Sequence, residues 1–241
     1  MSAGSIKENL TKVLSQVSRA ATHSGREAKT IQLVAVSKKQ SVALMEEYLL
    51  AARECGIPAV FGENYMQELA SKRACFQDTA SFHAIGPLQS NKVRDAVAYS
   101  DVIESVHSQS VLHAIAKEAR KVGKVQRIFL QVNIAEDSAK KGFAASSVEG
   151  VVREAATLRD AIELEGLMTI TALYDNGEEA REDFRRMANV RRELEREGCI
   201  SLFRDSRILL SMGMSADFDV AIEEGADVVR VGTAIFGERE G

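Results

Sequence analysis

The chain has 241 residues, of which 45% are hydrophobic and only 2 are proline. That length and composition fit one large α/β domain and exclude a disordered or collagen-like chain. Its 31 basic and 35 acidic residues leave a formal charge of -4, which gives no overall electrostatic reason to expect nucleic acid or an anionic membrane as a partner.

The amino terminus carries Lys7, Glu8 and Lys12 where a signal peptide needs an uncharged apolar core, and no run approaches the length of a membrane span. Ile6, Leu10, Val13 and Val17 recur instead at helical spacing and predict a leading amphipathic helix. Behind it, short β-branched runs alternate with stretches of helical period. Strands are expected at 31–36, 59–61, 82–85, 102–105, 128–132, 164–170, 208–210 and 228–231, with a helix in every gap. Between the sixth and seventh runs, Phe184, Met187, Val190 and Leu194 repeat at helical spacing among many Arg and Glu residues, which form the solvated face of that helix. Cys55, Cys75 and Cys199 are an odd number, widely separated and without a CxxC pair. Neither a disulfide framework nor a zinc site is indicated, and a reducing, cytoplasmic setting is expected.

Strict β/α alternation requires parallel strands with right-handed crossovers, and eight such units close naturally into a barrel. A doubly wound open sheet is the competing architecture. It would gather polar residues at one switch point, whereas here they follow strand after strand. The expectation is a single domain over 1–241: a TIM-type (β/α)8 barrel with an additional N-terminal helix.

The first strand run, IQLVAVSK, leads into Lys38, where the carboxyl end of a first barrel strand opens onto the functional face. A lysine partly desolvated there has its charged form disfavoured and more neutral amine to attack an aldehyde; the alternative is a solvated surface charge, as Lys39 beside it suggests. LLSMGMSAD after the seventh run and VRVGTAIFG around the eighth are rich in glycine and small hydroxyl residues. In eight-stranded barrels, loops after strands seven and eight commonly hold a phosphate with a helix amino terminus, a task that Ser215, Gly232 and Thr233 fit. The alternative is an ordinary helix cap at Ser215 and a tight turn at Gly232. Arg230 places a permanent cation on the inside of the last strand, where it needs a partner: a ring nitrogen, or a carboxylate such as Glu63. Asn64, His83, Asn133 and Met168 complete a ring of strand-end residues that line the same mouth. No HExxH, GxSxG or P-loop occurs, and no GxGxxG follows the first strand.

These motifs closely resemble those of the pyridoxal phosphate homeostasis proteins, a family related to the amino-terminal barrel of alanine racemase. The resemblance spans nearly the whole chain through LVAVSK at 33–38, FGENYMQE at 61–68, HAIGPLQSNK at 83–92, GLMTI at 166–170, LSMGMSAD at 210–217 and VRVGTAIFGER at 229–239. It implies an alanine racemase-like fold and pyridoxal 5'-phosphate (PLP) bound as an imine on Lys38. It further implies phosphate contacts from Ser215, Gly232 and Thr233, with Arg230 at the pyridine nitrogen. The expected cofactor-binding set is Lys38, Asn64, His83, Met168, Ser211, Ser215, Arg230, Gly232 and Thr233. Two departures are visible. Phe82 stands where the family often has tryptophan before the histidine, and Asp227 replaces part of a small polar pair that commonly follows the glycine of GADVVRVG.

A PLP carrier serving vitamin B6 homeostasis and a PLP-dependent racemase or decarboxylase both need Lys38. An arginine at the ring nitrogen makes a weak electron sink, suited to racemisation or storage. The related racemases add a carboxy-terminal β domain and a tyrosine base from a partner subunit, and with Lys38 as the only evident base the expectation here is a monomeric carrier without a catalytic residue, passing PLP to apoenzymes. A barrel holding some other phosphorylated metabolite without an imine is the third reading.

Overall fold

Helix α1 (Ile6–His23) starts where Ser5 Oγ accepts from Glu8 N and the Glu8 carboxylate accepts from Ser5 N, a reciprocal cap that satisfies two otherwise unpaired donors. It buries the stripe Ile6, Leu10, Val13 and Val17, extended by Ala20 and Ala21. The computed structural model describes residues 5–137, 140–172, 174 and 176–237; Glu238 and Arg239 of the last motif lie outside the described residues.

After α1 come β1 (Gln32–Val36), α2 (Val42–Glu54), β2 (Val60–Glu63), α3 (Met66–Phe76), β3 (Ser81–Ala84), α4 (Val93–Tyr99), β4 (Val102–Val106), α5 (Gln109–Lys121) and β5 (Gln126–Gln131). The second half runs α6 (Val148–Ala156), β6 (Ile162–Met168), α7 (Arg181–Arg196), β7 (Leu209–Ser211), α8 (Phe218–Glu223), β8 (Val228–Val231) and α9 (Thr233–Phe236). All neighbouring strands are parallel and the ring closes through β8 and β1, so the barrel is confirmed and the open sheet set aside. Among the described residues no helix is long and apolar enough to cross a membrane.

Two apolar layers result from the period of two along each strand. The outer one joins strands to helices; the inner one contains only strand residues, Val34, Val60, Val102, Phe129, Met168 and Val228, and fills the barrel. Phe82 belongs to the outer layer. Its ring lies 5.4 Å from Phe61 and 6.1 Å from Phe76, with the Arg73 guanidinium 5.5 Å away, so this aromatic packs behind the sheet, and its neighbour His83 points inward. Asp227 acquires a structural role. It accepts from Arg26 Nη2 at 2.8 Å, from Arg191 Nη1 at 3.1 Å and from Leu210 N at 3.0 Å, pinning the amino end of β8 to its surroundings.

Observed strands lie within two residues of the expected ones. The largest displacement is β6, which starts at Ile162, two residues before the expected Leu164; at this amino end Glu163 and Glu165 pair with Arg204, at 3.5 and 3.0 Å. Opposite β5 the register jumps from Leu164 to Gly166, a bulge at Glu165. There the Leu209 carbonyl of β7 occupies the space a Cβ on Gly166 would need. Replacing Gly166 by alanine is therefore expected to cost about 3 kcal/mol or more by breaking the β6–β7 ladder. Gly123→Ala, at a φ of 65° in open space, is expected to cost about 1 kcal/mol. Urea denaturation of both variants checks the contrast.

Candidate functional site

The carboxyl ends of β7, β8 and β1, three consecutive strands of the ring, deliver the residues singled out from sequence to one place. Lys38 is half-buried and lies two residues past β1, whose ladder runs on through Ser37 N to Gly62 O at 3.0 Å. Beside it, Ala35 pairs with Val231, which brings Gly232 against Val36: a Cβ on Gly232 would sit 3.3 Å from Val36 Cβ. Ser215 Oγ accepts from Gly232 N at 3.1 Å and so joins the β7 and β8 loops. Helix α8 begins only at Phe218, and the expected alternative of Ser215 as its cap does not hold. Thr233 is exposed and opens α9, where Ile235 N and Phe236 N both donate to the Gly232 carbonyl, at 2.9 and 3.0 Å.

Beneath this mouth lies a polar chain. Arg230 is buried inside the barrel, donating from Nη1 to Ser211 Oγ at 2.6 Å and from Nη2 to Thr169 O at 2.7 Å. Ser211 Oγ in turn donates to Glu104 Oε2 at 2.6 Å, and Glu104 Oε1 meets His83 Nδ1 at 2.6 Å. Arg230 thus has a carboxylate neighbour, Glu104 at 3.9 Å, and not Glu63, which pairs with Lys72 at 2.7 Å. Burial pushes the Arg230 guanidinium below its ordinary value, against the attraction of Glu104 and Asp217. Burial also opposes ionisation of Glu104, yet contacts with His83, Arg230 and Ser211 outweigh it and hold this carboxyl below the usual range.

The other expected residues are placed less uniformly. Met168 is sealed in the inner apolar layer, and His83 and Ser211 sit in the buried chain, so all three form the support of the mouth. Asn64 follows β2, half-buried, with its backbone so close to Gly86 that a Cβ on Gly86 would collide with it. Asn133 donates from Nδ2 to Asp137 O at 2.8 Å, tying down its own loop. Sequence reading missed Glu104. Its only signal is a carboxylate at an inward position of a short, mostly apolar strand, VIESV. A separate cavity of about 660 Å³ opens at the amino-terminal end of the barrel, lined by Gln32, Val60, Val102, Arg127, Phe129 and Glu165. It shares only His83 with the residues above and lacks Lys38 and the glycine and hydroxyl loops, so the candidate site is the carboxyl-end mouth.

The fold and sequence have relatives among known proteins. Residues 9–240 match the family described as alanine racemase, N-terminal domain. The chain is 35% identical over 234 residues to the pyridoxal phosphate homeostasis protein of Aquifex aeolicus, covering 97% of this chain and 98% of that one. It is 33% identical over 241 residues to that of Vibrio alginolyticus, covering 98% of each. Among solved structures, PipY of Synechococcus elongatus with PLP bound superposes with a TM-score of 0.81 at 31% identity, covering 96% of this chain and all of that one. An alanine racemase from Clostridium difficile shares the fold, with a TM-score of 0.69 at 16% identity over 57% of its own length.

The buried chain has a titration signature. The folded state binds the Glu104 proton more weakly than the unfolded chain, whose ordinary value is 4.5. Its contribution to stability is therefore complete above that value and is lost as the pH falls through the lower, folded one. Glu104→Gln is expected to cost about 3–5 kcal/mol at neutral pH by leaving the buried guanidinium uncompensated. The gap to wild type should close as the medium is acidified, as measured by urea titrations at successive pH values.

Proposed function

The chain belongs to the pyridoxal phosphate homeostasis protein family, and from that premise we propose that it binds PLP at the carboxyl mouth of its barrel, covalently through Lys38, and serves as a PLP carrier in vitamin B6 homeostasis. The observation that carries this reading is the convergence of three loops: Ser215 bonded to Gly232, and Gly232 against Val36, two residues before Lys38.

The residues present fit the group. A glycine at 232 leaves backbone and space where a side chain would crowd β1, the hydroxyls of Ser215 and Thr233 are donors for phosphate oxygens, and the start of α9 adds the N–H groups of Thr233 and Ala234. Arg230 is a donor only, so a pyridine nitrogen facing it accepts a hydrogen bond and stays unprotonated. Lys38 supplies the primary amine. When bound, PLP offers an aldehyde that condenses with such an amine with loss of water, and returns by the reverse hydrolysis.

We read the site as one that holds and releases PLP without turnover. Its interior acid–base groups, His83, Glu104, Ser211 and Arg230, are bonded to one another, and Lys38 is the base we assign to the mouth, whereas two-base proton transfer needs a group on each face of the substrate carbon. A Lys38-dependent racemase or decarboxylase activity at an enzyme-like rate would sink this part of the reading.

Purified protein mixed with PLP and reduced with borohydride is expected to carry the added mass on Lys38, with the absorbance band and the adduct both lost in Lys38→Ala. Scattered labelling of surface lysines would reject the site. Ser215→Ala, which removes one hydrogen bond to a charged group, is expected to weaken PLP binding roughly 10- to 100-fold, as read by equilibrium dialysis.

A further inference from the structure

The turn that carries Lys38 holds a backbone conformation unfavourable to its own sequence. Gln40 N donates to Ser37 O at 3.0 Å, making 37–40 a β-turn with Lys38 second and Lys39 third. Lys39 has a φ of 61°, a left-handed conformation that glycine or asparagine adopts readily and a lysine adopts only where its surroundings enforce it.

A buried ionic cluster from the next β/α unit enforces it. Lys72 of α3 is 6% exposed and donates to Ser37 O at 2.7 Å, to Glu63 Oε1 at 2.7 Å and to Glu68 Oε2 at 2.9 Å, which uses all three of its N–H groups. Glu68 Oε2 also accepts from Lys39 N at 2.8 Å, and Ser37 Oγ donates to Glu63 Oε1 at 2.7 Å. Both peptide groups that flank Lys38 are therefore held, the one before it by Lys72 and the one after it by Glu68. Barrel closure does not need these contacts, because β1 and β2 already pair through Ala35 with Phe61 and Val36 with Gly62. A sealed lysine and carboxylate are also a costly way to stabilise a fold.

We infer that Lys72 and Glu68 are positioning residues for Lys38, clamping the left-handed turn so that the amine is presented in one direction toward the loops of Ser215 and Gly232. The inference rests on the function proposed above. A fixed turn spares the binding step the entropy of ordering the reactive side chain's backbone, so the clamp acts through preorganisation and touches no cofactor atom.

The test uses the full chain, first without PLP. Hydrogen exchange at the Lys39 amide is expected to quicken at least about tenfold in Glu68→Ala and to stay within about twofold in Glu68→Gln, whose amide oxygen still accepts. With PLP, Lys72→Met and Glu68→Ala are expected to bind at least about tenfold more weakly, and adding Lys39→Gly to Glu68→Ala should recover most of that loss, because glycine takes the left-handed turn unaided. Exchange protection in β5 and β6 reports that each variant keeps its fold. Glu68, 31% exposed, supplies the test should Lys72→Met not fold. Wild-type exchange at Lys39 and wild-type PLP affinity in Glu68→Ala would overturn the clamp while labelling of Lys38 in the wild type left the proposed function standing. A wild type that takes no PLP on Lys38 would remove both.

Discussion

A charge inside an eight-stranded barrel has no bulk water to lean on, because side chains fill the interior. Arg230 is such a charge, and much of the molecule is arranged around its neutralisation. Its partners come from Ser211 on β7, Glu104 on β4 and the Thr169 carbonyl just past β6, and His83 on β3 completes the chain. β4 and β8 are four strands apart in a ring of eight, so the chain crosses the barrel instead of running along one wall. It fixes the guanidinium at both terminal nitrogens and sets the cross-section directly below the mouth. Such a network contributes little net stability compared with apolar packing, and its value lies in holding a cation at one position.

A second charged cluster holds the turn of Lys38 as the first holds the arginine, from the opposite side of the sheet. Lys72 and Glu68 come from α3, outside the barrel, and reach the turn after β1. Burial pushes the Glu63 carboxyl up, against the hydrogen bonds from Lys72 and Ser37. Burial works the same way on Glu68, but there the bonds from Lys39 N and Lys72 prevail and hold the carboxyl below its ordinary range. The same motif, FGENYMQE, thus supplies one carboxylate buried under the turn and one at its rim. A chain position followed by a left-handed lysine is a poor place for a reactive amine unless something outside the turn fixes it.

The architecture was legible because period-two and period-3.6 patterns alternate cleanly, and Lys38, Ser215, Gly232 and Thr233 because each follows a strand at the end where barrels place function. What escaped was tertiary. Glu63, a residue in a recognisable motif, was the carboxylate named as one alternative partner of Arg230, but which inward carboxylate meets an inward arginine depends on shear and register, and these selected Glu104. Phe82 and His83 are adjacent in sequence, but a one-residue step along a strand reverses the side-chain direction and sends the phenylalanine outward. Asp227 had no sequence-level reading because its partners, Arg26 and Arg191, are dozens of residues or more away in the chain.

The leading helix, expected only as an amphipathic stripe, braces the part of the site that can least support itself. Four residues in α9 are too few to form a stable helix on their own, yet its first residue is Thr233. Helix α1 lies against α2, α8 and α9 across the outside of the seam where β8 meets β1. Asn9 Nδ2 donates to Ile235 O at 3.0 Å, while Ile235 and Phe236 are buried, the phenylalanine 5.8 Å from the Tyr48 ring of α2. The short helix is thus held by its neighbours. Seam, helix and glycine turn form one unit, in which a hydrophobic stripe near the start of the chain fixes a backbone near its end.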